Sequence, residues 1–285
     1  MNYRCLFCLA RGFEKLLERH IDDHDEKIRL SKQFFNLLAR ADTDKPTPYV
    51  ARDFHALIRE SLDNPDPYKE QKRKGNQLAL SLYPDLKEKV EQAEDPFTRA
   101  LRYAIAGNIM DYGPASQFDL EETIGQVEQA RFAIDHSGEL KERIARAKDI
   151  LYIGDNAGEI VMDRLMIETM GHPNVTFAVR GYPVINDATR DDALEAGIDR
   201  VATVIDNGYD APSTILDASG EEFMRAYLKA DLIIAKGQGN FEGLMDNRDH
   251  RLWFLLMVKC QVIGDMLDVQ KGDFVVSNNH HTARE

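Results

Sequence analysis

Three short stretches hold side chains that could do chemistry. Asp149 to Glu159, DILYIGDNAGE, sets Asp155 and Asn156 directly after an apolar run and just before Ala157-Gly158-Glu159. GYPVINDAT carries Asn186 and Asp187, and DLIIAKGQGN carries Lys236, Gln238, Gly239 and Asn240. Asp and Asn offer the oxygen donors that a hard divalent cation takes, so Asp155, Asn156 and Asp187 are candidate metal ligands. Lys236 can meet a phosphate as a point charge, and the glycine-flanked amides at Gly239 and Asn240 can cradle its oxygens. A helix starting near Glu159 adds the favourable field of its N-terminus. A metal that bridges water and phosphate lowers the pKa of the water and stabilises charge in the displacement. Together these residues predict a metal-dependent catalytic site for a phosphorylated small molecule, with Asp155, Asn156, Asp187 and Lys236 at its centre.

Each residue also has a plainer reading. Asp155 and Asp187 stand where an Asp commonly caps a helix. Arg180, at the end of the second apolar run, either contacts phosphate or pairs with a surface carboxylate. Glu159 and Asp163 lie one helical turn apart and read as solvated first-turn carboxylates. Lys236 taken alone reads as a solvated charge, although its place after LIIA and before Gly-Gln-Gly argues otherwise. The catalytic reading rests on three loops, distant in the chain, meeting at one sheet edge.

The elements that must deliver these loops follow from periodicity. Up to about Lys148 the chain reads as helical. Helices are expected over Ile28–Arg40, Val50–Ser61, Lys69–Leu82, Pro84–Ala93, Pro96–Met110 and Leu120–Ala130, with DTDKPTP and DNPDPY as breaks. From Lys148 strands and helices alternate. Apolar runs fall at Ile150–Ile153, Val175–Val179, Val201–Ile205, Leu232–Ala235, Trp253–Val258 and Phe274–Val276. Helical patterns at Ile160–Met170, Ala188–Ala196 and Glu221–Lys229 separate most of them, which predicts an α/β fold with a mainly parallel sheet covered on both faces. The expected division is a helical domain over 1–147 and an α/β, Rossmann-like domain over 148–285. In such a sheet ligands bind outside the carboxyl ends of the strands.

At GDNAGEIVMD, with INDAT and AKGQGNFEGL downstream, the chain resembles the damage-control phosphatase family, formerly a domain of unknown function. The likeness spans nearly the whole length, and the order of the motifs is its specific part. Within the family it is most similar to the subfamily marked by an N-terminal Cys-x-x-Cys, here Cys5-Leu6-Phe7-Cys8. AGNIMDYG and DPYKEQK also look like family segments. The resemblance implies a helical bundle joined to a three-layer α/β/α unit with a six-stranded, mostly parallel sheet. It further implies a metal-dependent phosphatase of metabolite repair, acting on sugar phosphates or damaged phosphometabolites with Mn2+, Ni2+, Co2+ or Mg2+. Its metal ligands fall on Asp155, Asn156 and Asp187, its phosphate-binding lysine on Lys236, and a cleft-lining segment on Asn108 and Asp111.

Bulk properties narrow the partners. The 285 residues carry a net charge of -13, which argues against nucleic acid or an anionic membrane. No apolar run is long enough to span a bilayer, and MNYRCLFCLARG lacks a signal-peptide core. Three cysteines suit a reducing cytoplasm. Cys5-x2-Cys8 before His20 and His24 has the outline of a zinc finger, but the intervening LARGFEKLLER reads as continuous helix, so the histidines read as a solvated face and the cysteines as partly buried. The His280-His281 pair lies in a polar tail. Oligomeric state is not legible. Two other functions fit parts of the pattern: an S-adenosylmethionine-dependent methyltransferase, from the likeness of LYIGDNAGE to a glycine-rich first loop, and a non-catalytic phosphometabolite-binding module. Direct attack by Asp155 through an aspartyl-phosphate is the alternative to water attack.

Overall fold

Strands buried on both faces must be apolar throughout, and the central strands of this protein are. The structure, a computed structural model, describes residues 1–107 and 124–279. Its helices are α1 (Tyr3–His20), α2 (His24–Arg40), α3 (Thr47–Ser61), α4 (Lys69–Glu91), α5 (Pro96–Ala106), α6 (124–129), α7 (Ser137–Arg146), α8 (Glu159–Met170), α9 (Arg190–Glu195), α10 (Glu221–Lys229), α11 (Gly237–Leu244) and α12 (Gln261–Leu267). Its strands are β1 (Phe132–Asp135), β2 (Ile150–Ile153), β3 (Val175–Val179), β4 (Thr203–Asp206), β5 (Leu232–Lys236), β6 (Leu252–Met257) and β7 (Phe274–Asn278).

They form a 7-stranded sheet in the order β1-β7-β6-β5-β2-β3-β4. Among the described strands only the β6–β7 pair is antiparallel. The expected count was six; the additional strand is β1, paired in parallel with β7 at the edge. FAID is four residues long and alternates between half-buried and exposed, so no apolar run signalled it. β1 lies within the stretch expected to be helical, so the sheet reaches upstream of Lys148. From β2 the chain adds β3 and β4 toward one edge. It then crosses to β5 on the other side of β2 and adds β6 and β7. The reversal falls between β2 and β5, the kind of place where doubly wound sheets open a crevice at the carboxyl ends.

Side-chain alternation along each strand feeds two cores. Ile150, Tyr152, Phe177 and Ile234 point to one face, where Leu101 and Ile105 of α5, Leu86 of α4 and Leu165 of α8 pack. Leu151, Ile153, Ile233 and Phe254 point to the other, against Phe223 of α10, Phe241 of α11 and Ile263 of α12. α4 and α5 thus belong to a layer of the sheet unit. α1, α2 and α3 enclose a third core in which Phe13 stacks on Phe34 at 4.4 Å and both meet Phe54 edge-on. α4 runs unbroken through Pro84, where two helices were expected. Ala79, Tyr83, Leu86 and Val90 are buried on both sides of the proline. That continuous face holds together a turn which a missing N–H would otherwise interrupt.

α3 is pinned across the carboxyl edge of the sheet. Arg59 donates to Asp210 at 2.6 Å and to the Pro183 carbonyl at 3.0 Å, and Arg52 also pairs with Asp210. His55 of the same helix is buried, which pushes its imidazole down from the ordinary 6.5 to about 3, with Arg59 adding repulsion. A base depressed in the fold stays neutral while the unfolded chain takes up a proton. Its contribution is therefore complete above about pH 6.5 and is lost as pH falls from there toward 3. His55→Leu is expected to flatten the acid limb of stability in urea melts run across that window; an unaltered limb would contradict this placement.

Candidate active site

β2 ends at Ile153, and the residues from Gly154 turn into α8 under the carboxyl edge of the sheet. Neither candidate aspartate is a helix cap. Gly158 is the N-cap residue of α8, and α9 is capped by Thr189 in a reciprocal box with Asp192. Asn156 and Asp187 instead face each other across an isolated antiparallel bridge. Ala188 N–H donates to the Asp155 carbonyl at 2.8 Å, and Ala157 N–H to the Asn186 carbonyl at 2.9 Å. The backbone thus zips the loop after β2 to the loop after β3, and Asp155, Asn156 and Asp187 are buried together. The third loop closes in from β5. Gly237 has φ +77, and a Cβ there would lie 2.0 Å from Asp155 Oδ2, so only glycine allows this approach. Gly239 passes beside Asp155 Oδ1, and its carbonyl accepts from Ser213 Oγ at 2.7 Å.

The cations sit elsewhere than the sequence suggested. Arg180 is neither on the surface nor free for phosphate. It is buried, donates through Nε to Asp187 Oδ2 at 2.6 Å and through Nη2 to Asp155 Oδ1 at 3.3 Å, and reaches Thr214 with Nη1. Lys236 is 0% exposed. Its Nζ donates to Glu159 Oε1 at 2.9 Å, Asp163 Oδ1 at 2.5 Å and the Ala104 carbonyl at 2.6 Å. An ammonium has three protons and all three are engaged, so Lys236 is a poor candidate for phosphate binding and catalysis. The Asn240 side chain latches β2 to β5, its Nδ2 donating to the carbonyls of Gly154 at 3.0 Å and Lys236 at 2.8 Å, which leaves its backbone amide out of account. Asn108 and Asp111 lie outside the described residues, as do His280 and His281.

Glu159 and Asp163, read as solvated, are 2% and 0% exposed. Asn156 Nδ2 donates to Asp155 Oδ2 at 2.8 Å and to Glu159 Oε2 at 2.9 Å, and Tyr152 OH donates to Asp163 at 2.8 Å. Asn76 of α4 accepts from Gly158 N–H at 2.6 Å, satisfying a donor at the start of α8. The segment DPYKEQK, singled out in the sequence, supplies Lys72, a buried tie between Asp66 and Asp192. Cys5 and Cys8 lie on the unbroken α1.

Burial and crowding raise the carboxyls. Asp155 is pushed up to about 7, chiefly by burial and then by Asp187 and Glu159, with Lys259 and Arg180 opposing. Asp187 is raised by burial against the pull of Arg180 and Lys259. Asp163 is pushed up to about 6 by burial, with Lys236 opposing. Lys259, which the sequence reading passed over, follows β6, and its charge acts on both Asp155 and Asp187. Its backbone N–H donates to Gln238 Oε1 at 2.8 Å, its side chain is exposed, and its ammonium forms no ion pair among the described residues. Its position one residue past an apolar run, beside a cysteine, gave no periodic signal.

The donor set suits a hard cation: two carboxylates and an amide oxygen, with both amide hydrogens of Asn156 turned to carboxylates. Among the described residues no three His, Cys, Asp or Glu side chains are arranged to hold a metal by themselves.

Comparison with known proteins places the chain in a family. A model of the damage-control phosphatase ARMT1-like domain matches residues 1–275. The chain is 36% identical to a damage-control phosphatase of Pyrococcus horikoshii, covering 98% of each. It is 34% identical to a damage-control phosphatase of Archaeoglobus fulgidus, over 89% of this chain and 90% of that one. A crystal structure of a DUF89 family protein from Pyrococcus horikoshii superposes with a TM-score of 0.91 at 34% identity, covering 98% of this chain and 99% of that one. The chain belongs to the ARMT1-like damage-control phosphatase family.

Proposed function

We propose that this phosphatase is a metal-dependent hydrolase of small phosphomonoesters, sugar phosphates or damaged phosphometabolites among them. One observation carries the reading. Four carboxylates, Asp155, Glu159, Asp163 and Asp187, are buried at the carboxyl edge of the sheet against two buried cations, Arg180 and Lys236. A phosphate is repelled by such a site unless a further cation stands between them. Asp155, Asp187 and Asn156 Oδ1 would hold it. Bound there, a divalent ion such as Mn2+ or Ni2+, with Co2+ or Mg2+ as substitutes, supplies charge for the phosphoryl oxygens and acidity for a water.

The chain's own residues do the remainder. Arg180 holds Asp155 and Asp187 in place and offsets part of their repulsion. Lys259, rather than Lys236, meets the phosphate, because its charge acts on both carboxylates while its exposed ammonium forms no ion pair among the described residues, whereas that of Lys236 is fully engaged. Both oxygens of Asp155 accept hydrogen bonds, Oδ1 from Arg180 and Oδ2 from Asn156, which favours a ligand's role over that of a nucleophile. Water attack is therefore the preferred route, and rapid-quench labelling that finds an acid-labile phosphoenzyme would replace it with the covalent one.

Metal-stripped protein should be inactive toward an aryl phosphate and regain turnover with Mn2+, while Asp155→Ala and Asp187→Ala should each lose roughly 100-fold or more in kcat/KM. Full activity after chelation would overturn the reading. Lys259→Ala is expected to raise KM roughly tenfold with the fold intact, as loss of one phosphate contact does. Lys236→Met is expected to act on stability instead, since stripping a buried ion pair of one partner costs about 3–5 kcal/mol. Melting curves beside the kinetics separate the two lysines; a phosphate-binding defect in a fully stable Lys236→Met protein would reverse their roles.

A further inference from the structure

The buried carboxylate of Glu159 is neither a proposed ligand nor a phosphate contact, yet it touches a candidate ligand directly. A carboxamide next to a cation is useful in one orientation only, since its oxygen binds the ion and its nitrogen does not. Nothing in an Asn side chain chooses between the two. Here the choice is made by neighbours. The two hydrogens on Asn156 Nδ2 go to Asp155 Oδ2 and Glu159 Oε2, both obligate acceptors when ionised. A flip would set Oδ1 against two carboxylates. Among the described residues Asn156 Oδ1 accepts no hydrogen bond, which leaves it as the open face of the amide.

Glu159 is in turn held. Its other oxygen, Oε1, accepts from Lys236 Nζ at 2.9 Å, and the ammonium is anchored by Asp163 and the Ala104 carbonyl. Asp163 is itself bonded by Tyr152 OH. Every link is buried. A chain of fixed polarity thus runs from the C-terminal turn of α5 through Lys236 and Glu159 to the amide.

We propose that Glu159, locked by Lys236, is a positioning residue that presents Asn156 Oδ1 to the cation. This rests on the metal-dependent reading of the site. It predicts a specific frustration in Glu159→Gln. Lys236 can only donate, so the new amide must turn its oxygen to Lys236 and its Nε2 to Asn156. The Asn156 amide then either flips, placing Oδ1 against Asp155, or faces a donor with a donor. Both outcomes weaken cation binding without removing a ligand.

The test is Mn2+ binding to metal-stripped protein by calorimetry, with melting curves recorded on the same samples. Glu159→Gln is expected to bind Mn2+ roughly 10–100-fold more weakly than the unaltered protein, the range typical of groups that orient ligands. A role in packing alone would lower the melting temperature and leave the affinity of the folded protein unchanged, and that result overturns the proposal. Asp155→Asn serves as the reference: if it binds Mn2+ like the unaltered protein, the cation site itself is wrong. If Asp155→Asn loses binding and Glu159→Gln keeps it, only the positioning role fails. Should Glu159→Gln not fold, the side-chain amide protons of Asn156 in the unaltered, Mg2+-loaded protein decide the matter by hydrogen exchange. Both are expected to exchange slowly; exchange of either at the rate of a free amide overturns the proposal.

Discussion

Burying ionised groups without water is the constraint that shapes this molecule. A buried charge is tolerated only when paired and hydrogen-bonded. At the carboxyl edge of the sheet the protein meets that requirement with two cations placed on opposite sides of β2. Arg180, at the end of β3, faces Asp155 and Asp187. Lys236, at the end of β5, faces Glu159 and Asp163. Asn156 stands between the two clusters and bonds to both. The strand order makes this possible, because β3 and β5 are the immediate neighbours of β2. Each cation therefore arrives from an adjacent strand at the level where the loop after β2 begins.

The same geometry explains why the surrounding backbone is so closely fitted. Asp155 has Gly237 against one carboxylate oxygen and Gly239 near the other. Its own carbonyl is taken by Ala188. Tyr152 stacks on Phe177 at 5.4 Å beneath the site, and its hydroxyl reaches Asp163. α5 and α8 then close over Glu159 and Lys236, so the helical layer forms one wall of the charge cluster in addition to shielding the sheet. α3 spans the opposite side through Arg52, Arg59 and Asp210.

Much of this is legible in the sequence. The apolar runs located five of the strands closely, and the polar loops after β2, β3 and β5 did converge. What the sequence concealed has physical causes. β1 is short and half-exposed, so its burial pattern resembles a loop. Glu159 and Asp163 looked solvated because carboxylates are common in the first turns of helices. α8, however, is covered on both sides: Ile160, Val161, Met162, Leu165, Met166 and Ile167 are all buried, and those residues do not fall on one stripe. That two-sided pattern was the available clue that its acids would be interior. Lys236 continues β5 inward, and once Glu159 and Asp163 are known to be buried its destination follows. Arg180 was misplaced for the complementary reason, since its partners are themselves the candidate ligands. Nothing in LLMVKCQV marked Lys259, because the reach of its charge to Asp155 and Asp187 is a property of the fold alone.

The bridge between Asn156 and Asp187 bears on how folding would relate to the proposed ion uptake. In small zinc modules the polypeptide is disordered until the ion organises it. Here main-chain pairing between the two loops sets the spacing of the oxygen donors, and Arg180 occupies the electrostatic role between the aspartates. Were a divalent ion held here as proposed, its exchange for another would leave a scaffold whose donor spacing is set by main-chain pairing undisturbed.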